Sequence, residues 1–97
     1  MPELLTDDQL NAALTGLPGW THRAGRLVST IEAPTFLAGI RIVDTIAVIA
    51  EELDHHPDID IRWTSVTFAL STHSAGGITD LDIQLARRIS DVVEHAS

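Results

Sequence analysis

The residues best suited to chemistry are three histidines in the second half of the chain. His55 and His56 stand at the end of an apolar run that predicts a helix, and Pro57 stops that run. His73 follows a strand-like segment and directly precedes the sequence Ser-Ala-Gly-Gly. Imidazole exchanges protons near neutral pH and is also a common metal ligand. The group therefore predicts either acid–base chemistry or a metal site.

Two carboxylates, Glu51 and Asp54, precede the histidine pair. Glu51 lies four residues before His55, so on a helix the two share a face and could form an i, i+4 pair. A protonated histidine also stabilises a helix C-terminus, so either histidine could serve only as a cap. Adjacent histidines tend to diverge, which makes joint binding of one ion awkward. Catalytic, structural and metal-binding roles all stay open at this point.

The composition narrows the class of protein. A chain of 97 residues makes a single domain, residues 1–97. Its formal net charge of -8 argues against nucleic acid or an anionic membrane as a partner. The absence of cysteine excludes disulfides and thiolate-bound zinc or iron–sulfur clusters. We find neither a signal-peptide pattern nor an apolar run of about 20 residues, and we therefore expect a cytoplasmic protein without a membrane partner.

Two capping boxes predict where the outer helices begin. Thr6 and Gln9 have the spacing in which each side chain hydrogen-bonds the backbone of the other, so the first helix starts after Thr6. Thr79 and Asp82 repeat that spacing at the start of the last helix. We accordingly assign Asp82 to a structural role.

Two pairs of strand-like runs predict two hairpins. The first pair covers residues 20–23 and 26–31, joined by a turn that contains glycine. The second pair covers residues 59–63 and 66–72, with alternating apolar residues in each run. The alternation slips by one residue between the runs, which predicts a turn at Thr64-Ser65.

A long helix from Phe36 to about Asp54 is predicted between the hairpins. Its apolar face is expected to consist of Phe36, Ile40, Val43, Ala47, Ala50 and Leu53. The complete order is then α-β-β-α-β-β-α. This order predicts an α+β fold in which a four-stranded antiparallel sheet packs against helices.

Glu51, His55-His56-Pro57, Trp63, His73 and Asp82 follow one another at gaps that resemble the signature of the pterin-4a-carbinolamine dehydratases. The segments 5–7, 17–20 and 73–79 are also similar to that family, so the resemblance covers nearly the whole chain. Two positions depart from the pattern. Ser74 replaces an aspartate found in many members, and Asp54 replaces an asparagine found in many bacterial members but occurs in the animal enzymes.

The resemblance implies an enzyme that dehydrates 4a-hydroxytetrahydropterin to quinonoid dihydropterin and supports tetrahydrobiopterin recycling. It implies histidine acid–base catalysis with neither a metal nor a bound cofactor. The catalytic residues that it implies are His55, His56 and His73. The substrate-binding residues that it implies are Glu51, Asp54, Thr72 and Trp20.

The partners implied by the resemblance are the pterin itself and further copies of the chain, as a homodimer or homotetramer joined by sheet edges or helices. An aromatic amino acid hydroxylase would supply the substrate. The alternative is a non-catalytic binding, assembly or dimerisation protein, because some relatives act in that way. We expect Trp63 to serve the core or an interface, and Trp20 to flank either a flat ligand or the core.

Overall fold

The computed structural model describes residues 2–96, which form three helices and one four-stranded sheet. The helices are α1 (Asp7–Thr15), α2 (Phe36–Leu53) and α3 (Asp80–His95). The strands are β1 (Thr21–Arg23), β2 (Arg26–Glu32), β3 (Asp58–Arg62) and β4 (Ser65–Leu70). All neighbours are antiparallel in the order β1-β2-β4-β3, which confirms the predicted fold. The ends of the predicted domain, Met1 and Ser97, lie outside the described residues.

The core lies between one face of the sheet and the helices. Val66, Phe68 and Leu70 of β4 are completely buried, and they alternate with partly exposed residues. They belong to one apolar cluster with Ile46 of α2 and Ile89 of α3. The two central strands therefore anchor the core, and the chain beyond the end of β4 emerges close to α3.

The stripe that helix α2 presents to the core overlaps only in part with the one we predicted. Ala50 is buried, and Val43 and Leu53 pack against the core while partly exposed, whereas Phe36 is 51% exposed. The buried residues are Gly39, Ile42, Ile46, Ile49 and Ala50. Because α2 is apolar around much of its circumference, spacing alone does not select the stripe that meets the sheet. No helix among residues 2–96 is long and apolar enough to cross a membrane.

The second hairpin turns one residue earlier than predicted. Strand β3 ends at Arg62, which pairs with Ser65, so Trp63 and Thr64 form a two-residue turn. Trp63 has a φ of 53° and is 78% exposed, so its predicted place in the strand or core is wrong. Glu32 on β2 holds the turn by accepting hydrogen bonds from the hydroxyl groups of Thr64 and Ser65. This fixation offsets the cost of a positive φ in a bulky residue.

Candidate active site

The buried centre of the site is a hydrogen-bonded pair, His55 and Asp82. His55 is 8% exposed and Asp82 is completely buried. His55 Nε2 lies 2.5 Å from Asp82 Oδ1. The second carboxylate oxygen, Oδ2, accepts hydrogen bonds from the Thr79 backbone N–H and from the Thr72 hydroxyl, both at 2.9 Å. These three contacts offset the desolvation cost of burying the carboxylate.

This network determines which nitrogen of His55 is free for chemistry. An ionised carboxylate only accepts hydrogen bonds, so Nε2 of His55 carries the hydrogen that faces Asp82. The other nitrogen, Nδ1, makes no hydrogen bond with residues 2–96, and no unpaired polar side-chain atom within that range is buried. Nδ1 is therefore open to the surface. Neutral His55 presents a lone pair there, and Asp82 fixes the orientation of the ring.

The C-terminus of α2 turns His55 inward. Asp54 adopts the left-handed conformation, with φ 49° and ψ 43°. The N–H of Asp54 then bonds the Glu51 carbonyl at 3.2 Å, and the N–H of His55 bonds the Ala50 carbonyl at 3.0 Å. These bonds form a Schellman motif, which ends a helix by reversing the chain direction. The reversal directs His55 toward α3.

The same reversal leaves His56 on the surface, where it pairs with Glu51. His56 Nε2 lies 2.5 Å from Glu51 Oε2, and the two side chains are 55% and 76% exposed. The i, i+4 pair that was possible between Glu51 and His55 does not form, because Glu51 pairs with His56 instead. Helical spacing does not apply beyond Leu53, because the next residue is left-handed.

His73 begins a short 3-10 turn, His73–Ala75, and strand β4 ends at Leu70, two residues before the predicted end of that run. Thr72 and Gly77 close the base of this loop, with the Thr72 N–H 2.8 Å from the Gly77 carbonyl. A Cβ at Gly77 would lie only 2.9 Å from Leu4 Cδ2, so the segment before α1 packs closely on the loop. The exposed His73 side chain makes no hydrogen bond or ion pair with the rest of the described chain. Its imidazole is free to meet a ligand.

The register between β3 and β4 brings these segments to one end of the sheet. Asp58 pairs with Ala69, and continuing that pairing beyond both strands places His55 opposite Thr72. Asp82 joins them, since it accepts from the side chains of both. His56 and His73 are the chain neighbours of these two residues. The structure thus gathers the segments that carry all three histidines.

The predicted substrate-binding residues occupy three different environments. Glu51 and Asp54 are exposed beside the histidine pair, whereas Thr72 is buried within the Asp82 network. Trp20 is 6% exposed, and its ring N–H donates to Ser90 Oγ at 2.8 Å. Ser90 is eight residues beyond Asp82 on α3, which corresponds to about 12 Å along the helix. Trp20 therefore packs in the core, and its hydrogen bond is to a part of α3 distant from Asp82.

Sequence reasoning missed the contact between Asp82 and His55. The predicted capping box is present, because Oδ2 of Asp82 accepts from the backbone of Thr79. The carboxylate has a second oxygen, and that oxygen holds His55. The position of Asp82 in the family signature was the available signal. Within residues 2–96, no three histidine, aspartate or glutamate side chains are placed to hold a metal ion.

Comparison with known proteins places this chain in a family. The model of the family "Pterin 4 alpha carbinolamine dehydratase" matches residues 3–92. A protein of Mycobacteroides abscessus is 62% identical over 86 residues, which cover 89% of this chain and 92% of the relative. A protein of Mycolicibacterium smegmatis is 56% identical over 90 residues, 93% of this chain and 96% of the relative. Both are named "Putative pterin-4-alpha-carbinolamine dehydratase".

Solved structures agree with the sequence comparison. The crystal structure of a transcriptional coactivator/pterin dehydratase from Brucella melitensis has a TM-score of 0.88 at 32% identity, covering 91% of this chain and 96% of that protein. A pterin dehydratase-like protein identified as a RuBisCO assembly factor in the alpha-carboxysome has a TM-score of 0.62 at 19% identity, covering 75% and 84%, and shares the fold alone. The family match and the high identities together show that this chain belongs to the pterin-4-alpha-carbinolamine dehydratase family.

Proposed function

We propose that this protein dehydrates 4a-hydroxytetrahydropterin to quinonoid dihydropterin and water, and thereby supports tetrahydrobiopterin recycling. The observation that carries the proposal is the His55–Asp82 pair, which leaves Nδ1 of His55 open to a ligand. The reaction breaks the bond between C4a and the hydroxyl oxygen and removes the proton from the ring nitrogen N5. It requires a base for that proton and an acid for the departing hydroxyl.

His55 fits the role of the base. Its Nδ1 accepts the N5 proton, and the resulting imidazolium is stabilised by Asp82 through Nε2–H. A general base of this kind contributes roughly 10²–10⁴-fold to the rate. Because the Asp82 carboxylate is held by Thr72 and Thr79 as well, the ring is oriented before the substrate arrives.

His73 fits the role of the acid. Its protonated form donates to the departing hydroxyl, which leaves as water, and exchange with solvent restores both histidines. The exposed imidazole has no competing partner within the described chain. His56, held by Glu51, and the exposed carboxylate of Asp54 bind the pterin in this proposal.

The proposal is tested by stopped-flow decay of enzymatically generated 4a-hydroxytetrahydropterin in the presence of EDTA. We expect the protein to accelerate the decay, and His73→Ala to lower turnover at least 100-fold. His22→Ala, which alters an exposed histidine on β1, is the matched control and should retain full activity. A folded protein that gives no acceleration, or a fully active His73→Ala variant, would contradict the proposal.

We also propose that the protein forms a homodimer or homotetramer and receives its substrate from an aromatic amino acid hydroxylase. The first part is supported by large apolar residues left exposed on α2, namely Phe36, Leu37 and Val48, at 51%, 55% and 60%. Leu37 and Val48 are three helical turns apart and so share a face. Val48→Glu should shift the sedimentation coefficient toward the monomer, whereas Asn11→Glu on α1 should not. A monomeric wild-type protein would contradict this proposal.

A further inference from the structure

A cavity of about 510 Å³ lies on the flank of α3, away from the histidines. It is bounded by the loop before β1, by β2 and by the second half of α3. Trp20, Leu17 and Ile31 supply apolar walls. Ser90 at its edge lies about 12 Å along α3 from Asp82, so this cavity is distinct from the proposed active site.

Two hydroxyl groups that face this cavity have unused hydrogen-bonding positions. Ser29 is 8% exposed, and its hydroxyl makes no hydrogen bond with residues 2–96. No unpaired polar atom in that range is buried, so the hydroxyl must reach the cavity that Ser29 lines. Ser90 Oγ accepts the ring N–H of Trp20, which leaves its own hydrogen available for donation. A ligand with an acceptor group would satisfy both.

Two opposite charges border the same cavity without pairing. Arg87 and Asp91 are four residues apart on α3, a spacing that commonly allows an ion pair. Neither side chain forms an ion pair or hydrogen bond with any other residue in the described chain. The cavity therefore offers a cation, a carboxylate and hydroxyl donors around an apolar wall.

We propose that this cavity binds a zwitterionic α-amino acid with an apolar side chain. The carboxylate of the amino acid pairs with Arg87 and accepts hydrogen bonds from Ser29 and Ser90. Its ammonium group pairs with Asp91. Its side chain packs against Trp20. A simple anion would be repelled by the Asp91 carboxylate, and a simple cation would leave the two hydroxyls and Arg87 without a ligand partner. A ligand that carries both charges side by side complements Arg87, Asp91 and the two hydroxyls.

The first test uses L-leucine as the probe and Trp20 as the reporter. The chain has two tryptophans, so Trp63→Phe leaves Trp20 as the single fluorophore. We expect leucine to change its emission saturably. Two analogues of the same apolar shape separate the charges: 4-methylpentanoate lacks the ammonium and 3-methylbutylamine lacks the carboxylate. Each should bind at least tenfold more weakly. Equal binding of leucine and either analogue would overturn the proposal.

The second test locates the binding site with variants. Leucine binding to each variant is measured by the same fluorescence titration and by the amide NMR shifts of residues 29 and 90. Ser29→Ala breaks no hydrogen bond of the described chain, and Arg87→Gln breaks no ion pair there. Each should weaken leucine binding at least tenfold while circular dichroism and dehydratase activity stay unchanged. Arg88→Gln, which removes a neighbouring arginine of α3 that does not line this cavity, is the control and should bind normally. Wild-type binding by Arg87→Gln, or no saturable response from the parent protein, would overturn the proposal.

Discussion

Two adjacent histidines of this protein occupy opposite environments. His55 is 8% exposed and bonds a carboxylate that is itself completely buried, whereas the His56 side chain is 55% exposed and bonds the exposed Glu51. Each pair has an N···O distance of 2.5 Å. A short contact alone therefore does not reveal what a histidine contributes. The surroundings decide whether the contact orients a ring firmly or only restrains a surface side chain.

The difference has a chemical consequence for the proposed reaction. A buried pair excludes water and holds its donor and acceptor in one geometry, which suits a group that moves a proton. An exposed pair is screened by solvent and can rearrange when a ligand binds. The comparison therefore favours His55 for proton transfer and His56 for contact with the pterin. Variants on the two sides should differ in both stability and activity.

The largest effect is expected from Asp82. Asp82→Ala removes the partner of His55 together with the acceptor for Thr72 and Thr79, so unfolding free energy should fall by about 3 kcal/mol. Dehydratase turnover should fall at least 100-fold. Urea unfolding and stopped-flow assays measure the two effects. Asp80→Ala, in the exposed first turn of the same helix, is the control and should change stability by less than about 1 kcal/mol.

Asp82→Asn separates orientation from folding. The amide oxygen can still accept from Thr72 and Thr79, but the amide nitrogen then faces His55. Nε2 must become an acceptor, which moves the ring hydrogen to Nδ1 and removes the proposed base. We expect a loss of activity close to that of Asp82→Ala with a much smaller loss of stability. If activity and stability fell by the same fraction in Asp82→Ala and in Asp82→Asn, Asp82 would act through folding alone.

The second prediction compares the two histidines directly. His55→Ala leaves one oxygen of a buried carboxylate unpaired, so unfolding free energy should fall by about 2 kcal/mol. His56→Ala removes an exposed hydrogen-bonded pair and should cost no more than about 0.5 kcal/mol. Parallel urea titrations of the two variants measure this difference. Similar losses in both would contradict the contrast between a buried and an exposed site.

Features set by neighbouring residues were predictable from the sequence. The Thr6–Gln9 and Thr79–Asp82 capping boxes are both present, because each depends on residues three apart on one helical turn. The order of helices and strands follows from similar local patterns. The turn at Trp63 was missed by one residue, because Glu32, distant in the sequence, holds it in place.

Features that depend on distant contacts were not predictable in this way. The stripe of α2 that meets the sheet depends on which of its apolar residues fit against β4, and periodicity does not encode that choice. The His55–Asp82 contact joins residues 27 apart, and only the β3–β4 register and the reversal at Asp54 bring them together. Helical spacing therefore did not identify His56 as the partner of Glu51.

The last pair of variants concerns Asp54, the left-handed residue that ends α2 directly before the two histidines. Its left-handed conformation is freely available to glycine, so Asp54→Gly should change unfolding free energy by no more than about 1 kcal/mol and keep both pairs intact. Asp54→Val should cost about 1–2 kcal/mol, because a β-branched residue resists positive φ. The exposed Asp54 carboxylate is a proposed pterin contact, so Asp54→Gly should nevertheless lower kcat/KM about tenfold, a loss of about 1.4 kcal/mol in binding terms. Full activity in the glycine variant would instead assign Asp54 to the chain reversal alone, since its backbone would then account for everything that the residue does.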